Sequence, residues 1–574
     1  MSRSVSGTRL AFTLLAGLSL WACAARNAAS EGEEVEGAGE ADALAGYTPR
    51  GTCDGLPRID VETPPGVCVG LVYSAMKFPR GLTQLPNGDI YVADMGGWAD
   101  NAGSVWRFRK NTGGAYVANR VLSLIDKPSG IRVNPRDGLV YVGTPSNIFR
   151  FDPATVSTAT GAGPPRLTIV MAGRPKDGRH PLTHFVFDAL NPDLMYVNMG
   201  SASDVCEQGG SFASPCFEES LPIPRAAIRK YTLRGATRTA DMGVTIARGL
   251  RNSMALASHP VSGVLLQAEN SRDAIDGKAP QLREQEVDLP HEELNVIREG
   301  AHYGFPYCYD NNVPNPEYPT ADCTLYRAPT QLLPGHAAPL GMAYYPGAAS
   351  ASRRMFPDAY AGQLVVAYHG YRAHGHRLAM VPVSADGTPG IGEPRDIIRG
   401  WEANAATGAP TGSPVDVLVA SDGALFITDD KNHALLRVSY SAAGGNGLPL
   451  TTLPYTPAPA SPEEVARCTT LAAKTSAFAR IEREVIDKRC ASCHGAGPGY
   501  AGNLALLRCD DTGNAARLLG ARPSAPALVL PGNMQSELLL RMRGAGYPQM
   551  PAGGVDAASL SLVEAWILSG APLP

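Results

Sequence analysis

Between residues 79 and 430 the chain repeats one pattern: an apolar stretch, a polar turn, then a short β-rich run. Copies read PRGLTQLPNGDIYVAD from Pro79, PSGIRVNPRDGLVYVG from Pro128 and HFVFDALNPDLMYVNMG from His184. Three more are RNSMALASHPVSGVLLQAEN from Arg251, LGMAYYPG with YAGQLVVAYHG from Leu340, and SPVDVLVASDGALFITDD from Ser413. The runs GDIYVAD, GLVYVG and GALFITDD alternate or stay apolar for four to six residues after a turn, as strands inside a propeller blade do. Six copies predict an all-β six-bladed β-propeller over 51–441, with a two-sheet sandwich array as the alternative. The copies are unevenly spaced, which places insertions between blades.

The pattern changes after residue 441. Ala, Gly and Pro dominate 442–462, a linker, and a small helical unit follows over 463–574. Ser461-Pro462-Glu463-Glu464 supplies an N-cap, a Pro in the first turn and acids at the positive end of a helix dipole. Helix continues through ARIEREVIDKR, and a last helix begins near Ala557 with Leu560, Val563, Trp566 and Ile567 on one face. Between them lies Cys490-Ala-Ser-Cys493-His494. Two thiols at this spacing suit thioether bonds to haem vinyl groups, and the adjacent imidazole suits one axial position on the iron. C-x-x-C also occurs in zinc sites, but no second Cys/His cluster stands nearby to complete one. Met550, between Pro548 and Pro551, suits the opposite axial position; Met534 and Met542 compete for it but fall in or beside the helical segment PGNMQSELLLRMRG and read as core. Helix, haem motif, loop and C-terminal helix resemble a class I cytochrome c, so haem c is the expected cofactor of this small all-α domain.

Arg3 and Arg9, the apolar run Leu10–Ala22 and then Cys23 read as an export signal over 1–22 with a lipobox-like end. Residues 23–50, rich in Ala, Glu and Gly, read as a tether. The expected location is the periplasm or outer membrane, with the lipid as the only membrane attachment, or secretion if Cys23 carries no lipid. Setting Cys23, Cys490 and Cys493 aside leaves eight of eleven cysteines. They fall as Cys53 with Cys68, Cys206 with Cys216, Cys308 with Cys323, and Cys468 with Cys509, a disulfide set suited to an oxidising compartment. A formal charge of −4 argues against a nucleic-acid partner.

ARGLRNSMALASHP, ENSRD and DLPHEELNVIREGAHYGFPYC, in that order over 247–308, resemble the soluble glucose and sorbosone dehydrogenase family. That resemblance implies pyrroloquinoline quinone and calcium as cofactors and a sugar, alcohol or aldehyde as substrate. It implies His180 as catalytic base, taking a hydroxyl proton while hydride leaves the same carbon. Arg251 and Asn252 match residues facing the quinone, the Arg suiting charge that develops on a quinone oxygen. Asn270, Ser271 and Arg272 match the turn at which backbone carbonyls hold calcium. Arg372, with Arg377 as alternative, stands where the family has a cationic cofactor contact. Two positions depart from the family: Gly412-Ser413-Pro414 replaces a carboxylate-clamping Arg, and Arg179 replaces an acid before the base.

With the haem, these features predict a dehydrogenase that passes electrons from quinone to its own haem and on to an external acceptor, a soluble cytochrome or a terminal oxidase. Two other readings compete. One is a calcium-dependent lactonase-like hydrolase using Asp94, Asp429 and Asp430. The other is a binding propeller whose only chemistry is electron relay.

Overall fold

The computed structural model describes residues 47, 51–156, 164–212, 214–276, 278–279, 282, 288–347, 354–370, 374–389, 394–401, 412–441, 462–490, 506, 509–520, 527–545, 547 and 555–574. Six sheets form the large unit, each built on four antiparallel strands, the third extended by two short strands to six. Their inner strands are Pro79–Gln84, Ile131–Val133, Phe185–Phe187, Ala255–Ser258, Pro339–Tyr344 and Pro414–Val419. Each packs on the next and the sixth returns to the first, so the sheets are the blades of a closed propeller, numbered here from Pro79. Each repeat copy opens on or just before an inner strand and ends with the second strand of its blade.

The apolar runs follow from burial on both faces. Tyr91 and Ala93 of the second strand in blade one pack toward blade two, whereas Ile90 and Val92 pack toward blade six. Six apolar clusters fill the six seams between blades. A strand held this way has no solvent face, so strict alternation gives way to runs such as LVVAY and LFITD.

The ring closes with an N-terminal strand. Val67–Tyr73 pairs antiparallel with Ala434–Tyr440 as the outer strand of blade six. The Cys53–Cys68 disulfide ties this strand to the small hairpin before it.

The longest insertions lie within blades three and four, and shorter ones run between blades at 172–184 and 399–413. Residues 200–226 separate the second and third strands of blade three, and 297–330 separate the third and fourth strands of blade four. The latter runs up the outer edge of blade three, where Ala301–His302 pairs in parallel with Val244–Arg248. It then meets the former: Tyr307 Oη accepts from the Cys216 amide at 2.6 Å, and Tyr318 Oη donates to the Val205 carbonyl at 3.1 Å. Cys206–Cys216 and Cys308–Cys323 brace this pair of loops. Chain inserted at strand ends leaves the ladders intact, which is why it is tolerated there.

Helices make the second unit: Pro462–Ala472, Ala477–Ile481 continuing as a π-helix over Glu482–Cys490, Asp511–Leu519, Glu537–Arg543 and Ala557–Leu568. The Phe478 and Trp566 rings meet at 4.7 Å in its core, which also holds Ile481, Val485, Leu539, Met542, Val563 and Ile567. Met542, on the Glu537–Arg543 helix, is buried, and Met534, in the turn before that helix, packs against the same core. Cys468–Cys509 pins the first helix to the start of the third. No helix among the described residues is long and apolar enough to cross a membrane.

Candidate active site

Every inner strand begins, and every second strand ends, at the same end of the ring. Five blades send an apolar side chain to the centre of that end: Met95, Leu182, Met254, Leu340 and Val415, with Phe78 and Trp98 packed around them. This apolar layer is the floor of the site.

His180 lies on the loop entering blade three and is 3% exposed. Its Nδ1 sits 2.8 Å from the Ser201 carbonyl and 3.1 Å from Ser201 Oγ. A carbonyl only accepts, so Nδ1 carries the proton and the neutral ring presents a lone pair at Nε2. That atom is buried without a hydrogen-bond partner. Burial, then the Arg251 charge, holds the imidazole well below its ordinary pKa. Gly200 makes the close approach possible: a Cβ there would stand 2.5 Å from His180 Cβ and 2.6 Å from its carbonyl oxygen. Glu218 fixes the same loop by accepting from the Ala202 amide at 2.7 Å and Ser203 Oγ at 3.0 Å.

The GLRN segment enters blade four. Gly249 takes φ +68°, and a Cβ would meet the His302 ring at 2.4 Å. The Arg251 carbonyl then accepts from the Ser201 amide at 2.8 Å, and the Asn252 carbonyl from the Asn270 amide at 3.0 Å. These bonds place His180, Asn252 and Asn270 in one constellation. Asn252 Oδ1 and Asn270 Oδ1 are also buried without partners, as is Trp98 Nε1. Orphaned buried polar atoms are costly unless a ligand satisfies them. Three of them above an apolar floor suit a flat, polar-edged cofactor.

Arg251 differs from its expected role. Its guanidinium is buried and turned away into its own loop, where Nη2 meets Asp204 Oδ1 at 2.6 Å and Asp273 Oδ1 at 2.7 Å. Burial works against the charge, but Asp273 and Asp204 outweigh it and raise the Arg251 pKa. Nη1 donates to the Asn270 and Ser271 carbonyls at 3.1 and 2.7 Å. The Ser271 carbonyl, a calcium ligand in the sequence reading, is therefore already taken. Arg272 sends its side chain to Glu317 and Asn315, an ion pair that anchors the inserted loop. Arg179 reaches Asp273 at 3.2 Å. Neither Asp204 nor Asp273 was singled out from sequence. Asp273 ends the ENSRD turn and its charge was a usable signal; Asp204 sits in an insertion with no motif around it.

Arg377 is likewise committed: it donates to the His374 carbonyl at 2.7 Å, lies 3.3 Å from Asp396 and stacks over Tyr368. Arg372 lies outside the described residues. Ser413, where the family has Arg, donates its amide to Asp429 at 2.8 Å. A cation nevertheless reaches this quarter of the ring from blade one, as Arg80 meets Asp430 at 2.8 Å, with His369 on the same carboxylate at 3.0 Å.

The acids of the hydrolase reading are consumed. Asp94 accepts from the Phe78 amide at 2.7 Å, Lys77 and Gly96 amides and Trp106 Nε1. Asp429 accepts from Ser413 and Asn432. Among the described residues no three His, Cys, Asp or Glu side chains converge to hold a metal.

Blade four adds a feature with no sequence forecast. Ser253, Gln267, Glu269, Glu293 and Asn295 form a buried polar ladder: Gln267 Nε2 bonds Ser253 Oγ at 3.0 Å and Glu269 at 2.7 Å, while Asn295 Nδ2 bonds Gln267 at 3.1 Å and Glu293 at 3.2 Å. Burial pushes Glu292 up to about 7. Burial, with repulsion from Glu292, raises Glu269 to about 8, and burial, then Glu269, raises Glu293.

In the helical unit Cys490 ends its helix, half-buried against the core. Cys493, His494 and Met550 lie outside the described residues.

The fold and this end of the ring define a six-bladed propeller with a central polar site. The TrAA12-like family model matches residues 61–318, from the closing strand's approach through most of blade four. Among solved structures, the pyranose dehydrogenase PQQ domain of Coprinopsis cinerea (holo form) superposes with TM-score 0.51 at 18% identity, covering 67% of this chain and 99% of that one. A calcium structure of the Trichoderma reesei carbohydrate-active family AA12 protein gives TM-score 0.52 at 18% identity, covering 67% and 99%. A pyrroloquinoline quinone-dependent sugar dehydrogenase of Hypocrea jecorina is 23% identical over 257 residues, 42% of this chain and 55% of that protein. An uncharacterized protein of Borreliella burgdorferi is 27% identical over 202 residues, 34% of this chain and 48% of that protein. The chain thus spans about half the length of the curated relatives it matches.

Proposed function

We propose that this protein oxidises a sugar or a related alcohol or aldehyde with pyrroloquinoline quinone and delivers the electrons through its own haem c. The observation that carries this reading is His180: a neutral imidazole, its tautomer fixed by Ser201, with a bare Nε2 in a buried polar site. Such a group takes a proton from a hydroxyl without first losing one of its own. The family match and the two superposed propellers support the same reading.

Asn252, Asn270 and Trp98 would hold the quinone's polar edge over the floor formed by Met254, Leu340 and their neighbours. When bound, the quinone supplies a two-electron acceptor for the hydride. His180 receives the hydroxyl proton at Nε2, and the Ser201 carbonyl stabilises the resulting imidazolium through Nδ1–H. The buried Glu218 carboxyl and the two disulfides would keep this geometry rigid.

Cys490 and Cys493 would hold the haem by thioethers, with His494 and Met550 on its iron, a one-electron outlet toward a soluble cytochrome or terminal oxidase. Export and lipidation at Cys23 place this chemistry outside the cytoplasm, consistent with four disulfides. The test is spectroscopic. Full-length protein matured with haem is loaded with quinone, and aldoses, alcohols and aldehydes are offered while haem absorbance is followed. Substrate-driven reduction that requires quinone is expected. A haem that dithionite reduces but no substrate does would overturn the dehydrogenase reading.

A further inference from the structure

The carbonyl cradle of Asn270 and Ser271 contains a cation of the protein's own. All five N–H bonds of the Arg251 guanidinium are used: Nε to the Asp204 carbonyl at 3.2 Å, Nη1 to the Asn270 and Ser271 carbonyls, and Nη2 to Asp204 and Asp273 carboxylates. The side chain is 1% exposed. Its partners are locked in turn. Asp204 accepts from the Asp273 amide at 2.9 Å, and Asp273 also faces Arg179. Two carboxylates and two guanidinium groups pair within this loop, and the Glu269 and Glu292 carboxyls accept the Arg251 and Ser271 amides beside it.

We infer that Arg251 serves as the resident cation of this site in place of a divalent metal, so that the chain binds its cofactor without calcium. A divalent ion on the same carbonyls would add two positive charges beside a buried guanidinium. To admit it, Arg251 would have to leave, giving up five hydrogen bonds, two of them to carboxylates, a loss that weak carbonyl ligation does not offset. Calcium needs six to eight oxygens, and the two carboxylates that would make up the number already hold Arg251 and Arg179. This inference rests on the quinone reading only for the word cofactor; the occupancy of the cradle is a property of the chain.

The experiment compares wild-type protein with R251M, both full-length, stripped with chelator and free of quinone. Calcium is titrated calorimetrically. With the guanidinium gone, the carbonyls and two carboxylates face each other unneutralised, so R251M is expected to bind calcium at least about tenfold more tightly than wild type. Equal affinity in the two proteins overturns the inference. A second measurement needs no variant: quinone binding to wild type, followed by quenching of protein fluorescence, is expected to change by less than about twofold between chelator and millimolar calcium. Tightening by about tenfold or more overturns it. If quinone fails to bind under either condition, the dehydrogenase reading falls, while the calorimetric comparison still decides the identity of the cation.

Discussion

His180 Nδ1 lies 2.8 Å from the carbonyl oxygen of Ser201, and that single contact fixes which nitrogen faces the site. It also sets the first prediction. Burial and Arg251 keep the ring neutral far below the ordinary imidazole range. A depressed pKa means protonation begins only well under pH 6.5, so the pH profile of quinone-dependent turnover should show no acid limb near that value. H180N should lower kcat/KM by about 10²–10⁴-fold, the usual contribution of a positioned base. The haem spectrum should be unchanged. A limb at pH 6.5 that disappears in the variant would show an exposed, ordinary histidine instead.

Gly200 gives the second. Adding a Cβ forces a contact with His180 backbone and Cβ, neither of which is a flexible tip. G200A should therefore move the base without removing it. Misplacement by about 1 Å costs up to about 10²-fold in rate, so kcat should fall by at least about tenfold while KM stays close to wild type. The fold should survive, because the strain is local to two loop residues. Equal loss of melting temperature and activity, with kcat per folded molecule intact, would mean that His180 tolerates the shift.

How far the sequence carried the structure depends on what each residue touches. The six blades were legible because each second strand is buried on both sides, which leaves a run such as LVVAY bounded by turns. The disulfide pairs were legible because short-range cysteines in a turn-rich chain have few other partners. The closing strand Val67–Tyr73 was not, since it belongs to no repeat copy and its partner lies more than three hundred residues later. His180, Asn252 and Asn270, singled out through the family resemblance, are linked by the Ser201, Arg251 and Asn252 main-chain carbonyls. The fate of Arg251 was not readable, because Asp204 comes from an insertion with no periodicity. Arg377 is engaged by Asp396 on the outer strand of blade five, a cross-strand pairing that the sequence does not display.

Arg80 and Asp430 supply the third prediction. Both are buried, and Nη1 stands 2.8 Å from Oδ2. Burial alone would raise the Asp430 pKa; His369 and Arg80 lower it, so the pair is charged. D430N leaves a guanidinium buried without its counter-charge, and should destabilise the propeller by about 3–5 kcal/mol in chemical denaturation. The double variant R80M/D430L should cost less than D430N, since a pair replaced by apolar groups carries no orphan charge. A double variant worse than D430N would show the pair to be net stabilising.

Glu293 carries the fourth, and its sign is opposite to that of a surface acid. Burial, then Glu269, raises its pKa in the folded protein well above the unfolded value. The folded chain keeps a proton there that the unfolded chain releases above about pH 4.5. Stability from this group is complete below that value and is lost as pH rises toward the folded pKa. E293Q keeps the shape, and its amide supplies a donor for Asn295 Oδ1, which has no partner. The variant should therefore gain stability at pH 8 relative to wild type and gain little at pH 5, measured by denaturant midpoint. An equal change at both pH values would mean that Glu293 is ionised in the fold.

The helical unit sets the last. Helix Glu482–Cys490 delivers the first cysteine of the haem motif to a core built on Phe478, Val485 and Trp566. Met542 and Met534 are engaged with that same core, and Met550 is the sulfur ligand proposed for the iron. A thioether opposite an imidazole raises the reduction potential relative to two imidazoles. M550A should open the iron to cyanide or imidazole and lower its potential, while M542A should mainly destabilise the helical unit, by about 2–5 kcal/mol as buried Met→Ala changes do. Thioether attachment should persist in both, read as a pyridine haemochrome on denatured protein. If M542A instead opens the iron and M550A leaves the absorbance and potential untouched, the ligand assignment reverses; if neither purified variant nor wild type carries covalent haem after maturation, the electron outlet does not exist.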